Sequence, residues 1–450
     1  MMKFVSFVFI FFSFLHAETL QVHLTTASHT KGVYISRIHT DPSEWDWRYF
    51  DELRTTLESD LDHSGKAHIP PTQLEFEELF HWTNIAEGFE IAPWKKTNCS
   101  FVLALSCYKK KLSLAAFNLE NESVKQYPDF ILTGNLEKDR SKIHQLADLV
   151  HKDLFGISGI ASLKILYAQR AKNLSDQGLG FLSEIWSCNT DGSDAQQLTF
   201  QNGYCLSPGC FPEGKGDSEF YYVFNNEGQS KIYKSSFAKL EGAPFISLRG
   251  NQALPSISSQ GNMMAFITDA AGRPDLFIQS LDSRRVPIGK PRQIFSSPKA
   301  TQASPCFSPD GKQIAFVSDK DGPPRIYVMP VPNAKETKKT KPELITVKNK
   351  ENTSPTWSPD GKKLAYSAKT DGVRQIWIYD FETKEEKQLT FGPEMKENPA
   401  WAPNSFHLVY NTESNESSEL YLMHLNQITP TLISKGPGQK RFPCWTYSKG

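Results

Sequence analysis

Ser304-Pro305-Cys306-Phe307-Ser308-Pro309-Asp310-Gly311-Lys312 and Ser354-Pro355-Thr356-Trp357-Ser358-Pro359-Asp360-Gly361-Lys362 are one phrase written twice. Each sets a proline two positions ahead of an aromatic and follows it with a Ser-Pro-Asp-Gly turn. Looser copies begin at Pro208, Pro255, Pro399 and Pro443, and successive prolines lie 47, 50, 50, 44 and 44 residues apart. A period of roughly 40–50 residues belongs to β-propeller blades rather than to helical arrays.

Each residue of the phrase has a physical task. Proline lacks the N–H that a sheet ladder needs, so it is expected at the first residue of a strand. Phe307, Trp357, Trp401 and Trp445 supply the apolar surface that neighbouring blades share. Ser-Pro-Asp-Gly reads as a type I turn that reverses the chain into a hairpin. The return strands Ile314–Ser318, Leu364–Ser367 and Leu408–Tyr410 are apolar on both faces, as in a sheet stacked between two others. Third strands follow at Ile326–Val328, Ile376–Ile378 and Leu420–Leu422, and fourth strands at Gln197–Thr199 and Gln388–Thr390.

The two ends of the repeat array complement each other. Residues 165–199 offer second, third and fourth strands with no proline phrase before them, whereas Pro443-Cys444-Trp445 is a phrase with nothing after it. Joined, they close the ring without an exposed edge. The expected fold class is therefore α+β with two domains: a small N-terminal α/β domain over 18–160, then a six-bladed all-β propeller over 161–450 with its closing strand near 441–446. A β-sandwich of unrelated hairpins is the alternative, and constant spacing argues against it.

Residues 1–17 read as a secretory signal peptide: Met1-Met2-Lys3, an apolar run from Phe4 to Leu15, and Ala17 at the end. An uncleaved anchor is the alternative. No later apolar run reaches eighteen residues, so the mature chain is not expected to span a membrane. The 50 basic and 50 acidic residues cancel, which removes the electrostatic footprint of a nucleic-acid binder. Lys335, Lys338, Lys339 and Lys341 read as an exposed hairpin. Seven cysteines leave at least one thiol unpaired in a monomer. Cys205 and Cys210 are a candidate bridge, while Cys306 and Cys444, standing where sister repeats have Thr356 and Ala400, read as small core residues.

In residues 18–160, Leu20–Leu24, Phe101–Leu105 and Leu112–Phe117 alternate like strands. Phe50, Leu53, Leu57 and Leu61 have helical spacing before Gly65, as do Ile143, Leu146, Ala147, Val150 and Leu154 between a Ser141 cap and a Gly156 stop. Catalytic anchors are missing: there is no G-x-S-x-G, no GxxxxGK[ST] and no HExxH. His144 and His151 could coordinate something but read better as plain helix surface. Glu75, Glu77 and Glu78 read as a solvated face. No catalytic, cofactor or metal residue is assigned, and a binding platform is expected.

An exported α/β domain joined through Ala147-Asp148-Leu149-Val150 and Leu154-Phe155-Gly156-Ile157-Ser158-Gly159 to S-P-D-G-K repeats ending on Arg441-Phe442-Pro443-Cys444-Trp445 resembles the TolB family of periplasmic propellers. The resemblance implies a non-enzymatic monomer in the periplasm. Its partners would be the peptidoglycan-associated lipoprotein Pal and inner-membrane Tol proteins such as TolA, in envelope integrity and outer-membrane invagination at division. Loops entering the innermost strands converge on one mouth of a propeller. Here they carry Gln252, Thr301, Gln302, Ser304, Asn352, Thr353, Glu397, Asn398 and Lys440, mostly polar and uncharged, as suits a wet, reversible interface. In the family that face receives Pal; the alternative is that these residues only cap strand starts. Leu20, Val22 and Leu24 would add as a strand to an inner-membrane partner, or form the first strand of their own domain. The functional alternatives are a propeller enzyme related to peptidases or lyases, and a scaffold for another envelope partner.

Overall fold

The computed structural model describes residues 30–40, 45–80, 89–172, 180–212, 218–226, 228–333, 341–414, 417–427 and 429–446. The leader over 1–17, the segment holding Leu20, Val22 and Leu24, and the lysines Lys335, Lys338 and Lys339 lie outside them.

β1 (Lys31–Thr40), β2 (Ala67–His68), β3 (Cys99–Tyr108), β4 (Lys111–Asn118), β5 (Ser123–Gln126) and β6 (Phe130–Ile131) form one mixed sheet. Its order is β2-β1-β3-β4-β5, with β6 also on β4; β1 pairs parallel with β2 and β3. Helices α1 (Trp47–Asp62), α2 (Leu74–Glu77), α3 (Ile91–Trp94) and α4 (Leu136–Phe155) accompany it. Alternation along β1 sends Val33 and Ile35 to one face and Tyr34 to the other. The first face packs on α1 and α4 through Leu53, Leu57, Ile143, Leu146 and Val150. The second holds Tyr34 against Phe80 and Trp94.

α4 begins ahead of Ser141. Asn135 caps it, its side chain accepting from Lys138 N at 3.1 Å, and Ser141 lies within the helix. The first turn is polar, so an apolar pattern misses it, yet Glu137 and Asp139 suit the positive end of the helix dipole. Gly156 ends the helix in the left-handed region at φ 72°. Glu77 is not a solvated charge: it accepts from the buried Tyr34 hydroxyl at 2.7 Å and from Arg37 N at 3.1 Å.

Beyond α4 every element among the described residues is a strand. β7 (Lys164–Lys172), β8 (Phe181–Asn189) and β9 (Gln196–Gln197) precede β10 (Tyr204–Cys210), β11 (Glu219–Asn226), β12 (Gln229–Ser236) and β13 (Ala243–Pro244). Next come β14 (Gln252–Ile257), β15 (Met263–Thr268), β16 (Asp275–Leu281) and β17 (Pro287–Phe295), then β18 (Gln302–Phe307), β19 (Gln313–Ser318), β20 (Arg325–Pro330) and β21 (Glu343–Leu344). β22 (Asn352–Trp357), β23 (Lys363–Thr370), β24 (Val373–Asp380) and β25 (Glu386–Gln388) follow; β26 (Met395–Trp401), β27 (His407–Glu413), β28 (Leu420–His424) and β29 (Thr431–Leu432) lead to β30 (Gln439–Trp445).

β14–β17, β18–β21, β22–β25 and β26–β29 are four-stranded antiparallel sheets in sequence order. The remaining strands run β13-β12-β11-β10-β8-β7-β30, with β9 on β8. Within this sheet β10 and β8 meet at a single bridge, Tyr204 to Ser183, whereas β30 pairs antiparallel with β7 from Gln439–Arg170 to Trp445–Ile165. Six strands, β10, β14, β18, β22, β26 and β30, touch one another in turn, and β30 touches β10, so they close a ring. Each phrase aromatic packs between sheets: Phe307 with Ala265 and Ile278, Trp357 with Ala315 and Val328, Trp401 with Ala365 and Ile378, Trp445 with Ala402 and Val409.

The repeat proline does not open its strand. Pro305 is the fourth residue of β18 and Pro355 the fourth of β22, each beside a break in register with the next strand. Such breaks recur next to Pro208, Pro255, Pro399 and Pro443. At a bulge on an edge strand no ladder hydrogen bond is asked of the proline nitrogen. The turn after it forms as read: Gly311 N donates to Ser308 O at 2.9 Å, and Ser308 Oγ to Asp310 Oδ1 at 2.6 Å.

The N-terminal elements rest against the ring at β27 and β28. His407 Nε2 donates to His63 O at 2.8 Å, and Gln427 Nε2 to Asp62 O at 2.8 Å. Gly65 has φ 64°, and a Cβ there would lie 2.1 Å from His424 Nδ1, so the approach requires glycine. Asp148 on α4 accepts from Ala161 N at 2.8 Å and Ser162 N at 3.1 Å, fastening the helix to the strand entry. His144 and His151 are buried rather than on a plain surface: His144 Nδ1 meets Asp60 Oδ2 at 2.7 Å, and His151 Nδ1 donates to Ile157 O at 2.8 Å.

Candidate functional site

The six proline bulges converge on one cavity of about 200 Å³ at the centre of the ring. Pro208, Pro255, Pro305, Pro355, Pro399 and Pro443 line it together with the residues that precede them, Ser207, Leu254, Ser304, Ser354, Asn398 and Phe442. Those six preceding residues have φ of 48°, 51°, 44°, 52°, 52° and 54°. A left-handed conformation in a residue other than glycine costs roughly 1–2 kcal/mol, and such strain concentrates at ligand-binding positions. Part of the wall is polar: Ser354 Oγ donates to Asn398 Oδ1 at 3.0 Å, and Asn398 Nδ2 to Asn411 Oδ1 at 3.0 Å. Leu254 and Phe442 are the apolar members of the preceding six and join the prolines on the apolar part of the wall. The lining combines an apolar part with a few fixed polar groups, the make-up of a recognition surface.

The candidate residues divide into three groups. Ser304 and Asn398 line the cavity. Thr301 is exposed, its backbone N–H held by Asp319 Oδ1 at 2.6 Å. Thr353 and Glu397 meet at Arg374, whose Nη1 donates to Thr353 Oγ1 at 3.2 Å and whose Nε lies 3.1 Å from Glu397 Oε1. Arg374 also faces Glu351 at 3.6 Å, and Glu351 pairs with Lys369 at 3.2 Å. Nothing in the repeat phrase marks Arg374, because it stands at the start of a third strand. Only pairing with β23 and packing against β26 bring it to the mouth.

Gln252, Gln302, Asn352 and Lys440 do not belong to any mouth surface. They are 0%, 1%, 0% and 0% exposed. Each stands three residues before its proline and turns into the sheet junction. Gln252 Nε2 donates to Ile246 O at 3.0 Å and its Oε1 accepts from Ile232 N at 3.1 Å; Asn352 Nδ2 donates to Asn349 O at 2.8 Å. Lys440 Nζ donates to Gly436 O at 2.6 Å and lies 3.1 Å from Glu419 Oε2. These side chains hold the loop that delivers their own inner strand, a structural role. Without knowledge of the bulge, strand alternation does not tell which residues ahead of the proline face outward.

The proposed Cys205–Cys210 bridge is excluded by geometry. Both lie on β10, and their partners on β11, Phe224 and Phe220, are four residues apart, roughly 13 Å of strand, against the ~4.4–6.8 Å between Cα atoms that a disulfide requires. All seven cysteines are free thiols in this structure. Among the described residues, no group of three or more His, Cys, Asp or Glu is placed to hold a metal ion, and no helix is long and apolar enough to cross a membrane.

Residues 151–449 match the family described as the TolB beta propeller domain. The chain belongs to the TolB β-propeller family. It is 40% identical over 282 residues to the protein TolB homolog of Protochlamydia amoebophila, a match covering 62% of this chain and 60% of that relative. The protein TolB homolog of Chlamydia trachomatis serovar L2 is 33% identical over 288 residues, covering 63% of this chain and 59% of the relative. The matched region thus spans about 60% of the length of these relatives. The crystal structure of TolB from Acinetobacter baumannii superposes with a TM-score of 0.73 at 20% identity, covering 94% of this chain and 98% of that one, which shows a shared fold. A TolB-type propeller preceded by helices on a mixed sheet therefore describes the molecule.

Proposed function

We propose that this TolB-family chain is a non-enzymatic scaffold of the Tol–Pal system, exported to the periplasm, with the proline-lined channel mouth as its lipoprotein site. In this reading the eight-stranded sheet is two blades joined at one bridge, which makes six blades. Residues 18–160 and 161–450 are the two domains, and the molecule acts as a monomer without a cofactor. Family membership supports the Tol–Pal assignment, and Pal and an inner-membrane partner such as TolA are the partners it favours. The observation that carries the site is the convergence of six left-handed residues with their prolines on one cavity. Preorganised backbone at a concave surface lowers the entropy lost on binding.

Of the residues named from sequence, the site retains Thr301, Ser304, Thr353, Glu397 and Asn398, and adds Arg374. Thr301→Arg combined with Thr353→Arg sets two long cations at the mouth, one of them beside Arg374. Binding of purified Pal, measured by calorimetry, is expected to weaken at least about tenfold, or roughly 1.4 kcal/mol. The melting temperature should move by only a few degrees, because Thr301 is exposed and Thr353 is half-buried. A folded double variant that holds Pal at wild-type affinity would move the site to another face.

The inner-membrane contact is assigned to Leu20, Val22 and Leu24, whose alternation suits strand addition to a partner's sheet edge. Leu20→Asp with Val22→Asp is expected to abolish capture of TolA while leaving Pal binding intact. Retained TolA capture by a folded variant would return the segment to its own domain.

A further inference from the structure

Three junctions between inner strands, β18–β22, β22–β26 and β26–β30, are built on one register. The residue two after a proline packs on the residue one after the proline of the preceding inner strand. Trp357 N donates to Cys306 Sγ at 3.3 Å, Trp401 Nε1 to Thr356 O at 3.2 Å, and Trp445 Nε1 to Ala400 O at 3.0 Å. The same register at the point where the chain's end meets β10 brings together Cys444, one after Pro443, and Cys210, two after Pro208. Both belong to a single apolar cluster with Leu166, Phe220 and Phe442, and β10 and β30 are in contact.

We infer that Cys210 and Cys444 are a disulfide pair that locks the C-terminal strand into the ring. The place is chemically distinctive. The other five phrases fill this position with a bulky side chain, Ile257, Phe307, Trp357, Trp401 or Trp445, whereas here a small thiol meets a small thiol. β30 is the last of the described strands, and its hold on the ring depends on non-covalent contacts with β7, β10, β26 and β27. A bond between residues so distant in sequence removes much of the freedom of the unfolded chain.

Cys444 is half-buried and Cys210 buried, so the reaction starts at Cys444. Contact with Cys444, together with burial, pushes the Cys210 thiol well up, which keeps it protonated until the second step. The oxidant is a low-molecular-weight or protein disulfide. The Cys444 thiolate attacks one of its sulfurs, the donor S–S bond breaks, and one donor thiolate leaves. Cys210 gives up its proton and attacks Cys444 Sγ, expelling the second donor thiolate. Two protein thiols are oxidised and one donor disulfide is reduced to two thiols.

The test uses the full chain, reduced, then equilibrated with oxidised glutathione, denatured, alkylated and mapped by mass spectrometry without reductant. Expected are two fewer reactive thiols among the seven and one cross-linked peptide pair joining Cys210 to Cys444. The oxidised protein should melt about 5–10 °C above the reduced one. That gap should vanish in both Cys210→Ser and Cys444→Ser and persist in Cys205→Ser. Seven reactive thiols, a glutathione adduct held on Cys444 without transfer to Cys210, or a bridge through another cysteine would each overturn the proposal. Because the mapping is done on the unmutated chain, a variant that fails to fold does not blunt it.

Discussion

Ending the chain after Gly438 is expected to lower stability by at least about 3–5 kcal/mol, the cost of losing one buried Trp from a core. Trp445 is 6% exposed and packs with Ile165, Tyr167, Ala402, Val409 and Leu420. Its strand is also the inner neighbour of β7, so its loss bares the β7 edge from Ile165 to Arg170. Lys440 goes with it, leaving Gly436 O and Glu419 without their buried cation. Newly exposed edges invite association between chains, so the truncated protein should also aggregate as it melts. Denaturant unfolding followed by tryptophan fluorescence reads the loss. A truncated chain with the midpoint of the intact one would mean that β30 does not close the ring.

Acidification from pH 7 to pH 5 is expected to remove about 4 kcal/mol that two buried histidines contribute to the seam between the N-terminal elements and the ring, offset in part by Asp60. His407 and His424 are 2% and 1% exposed, with ring centres 4.7 Å apart. Burial, with His424 beside it, lowers His407 to about 3; burial, with Lys66 nearby, lowers His424 to about 4. A histidine of the unfolded chain titrates near 6.5, so from there down to about pH 4 the unfolded state takes up protons that the folded state refuses. The stability is therefore fully present above about pH 6.5 and lost as pH falls, at about 2 kcal/mol per histidine by pH 5. His63 and His151, also lowered mainly by burial, act in the same direction. Asp60, raised to about 6 chiefly by burial, opposes them by about 1 kcal/mol at pH 5. Melting curves from pH 7.5 to 5 should fall most steeply below 6.5, and hydrogen exchange at residues 63–66 should rise first. A flat profile to pH 5 would show that these rings stay solvated in solution.

The repeat phrase carried most of the fold because its chemistry is local. A Ser-Pro-Asp-Gly turn, an aromatic two residues after a proline and a return strand of apolar residues act over a dozen positions, and their spacing can be read off a single chain. The same local logic located α1 and the Gly156 stop of α4. It failed at Ser141, where Asn135 caps a turn whose residues carry no apolar signal. At the prolines it recognised that a strand was present but misplaced its start, since a bulge hides a proline inside a strand.

The candidate site was less legible. Thr301, Ser304, Thr353, Glu397 and Asn398 reach the mouth or the cavity, yet Gln252, Gln302, Asn352 and Lys440, drawn from the same stretches, are sealed inside. A bulge rotates successive side chains by an amount that residue type does not encode. Arg374 and His407 gave no signal, and Asp148 stood out only as part of the segment that carries the family resemblance, because each acts on a partner from a different element: Glu397 on β26, His63 after α1, and Ser162 before β7.

Repeat length, turn chemistry, the α/β start and the family were determined by the sequence alone, since each follows from interactions between residues close along the chain or from a pattern repeated along it. Which polar residues face a partner, which histidines lose their water, and which two of seven cysteines meet were decided only by the tertiary structure. These depend on closing a ring that brings Cys444 against Cys210 and on a seam that sets residue 63 against residue 407. Burial and side-chain direction are properties of that closure, and no single stretch of sequence contains both sides of it.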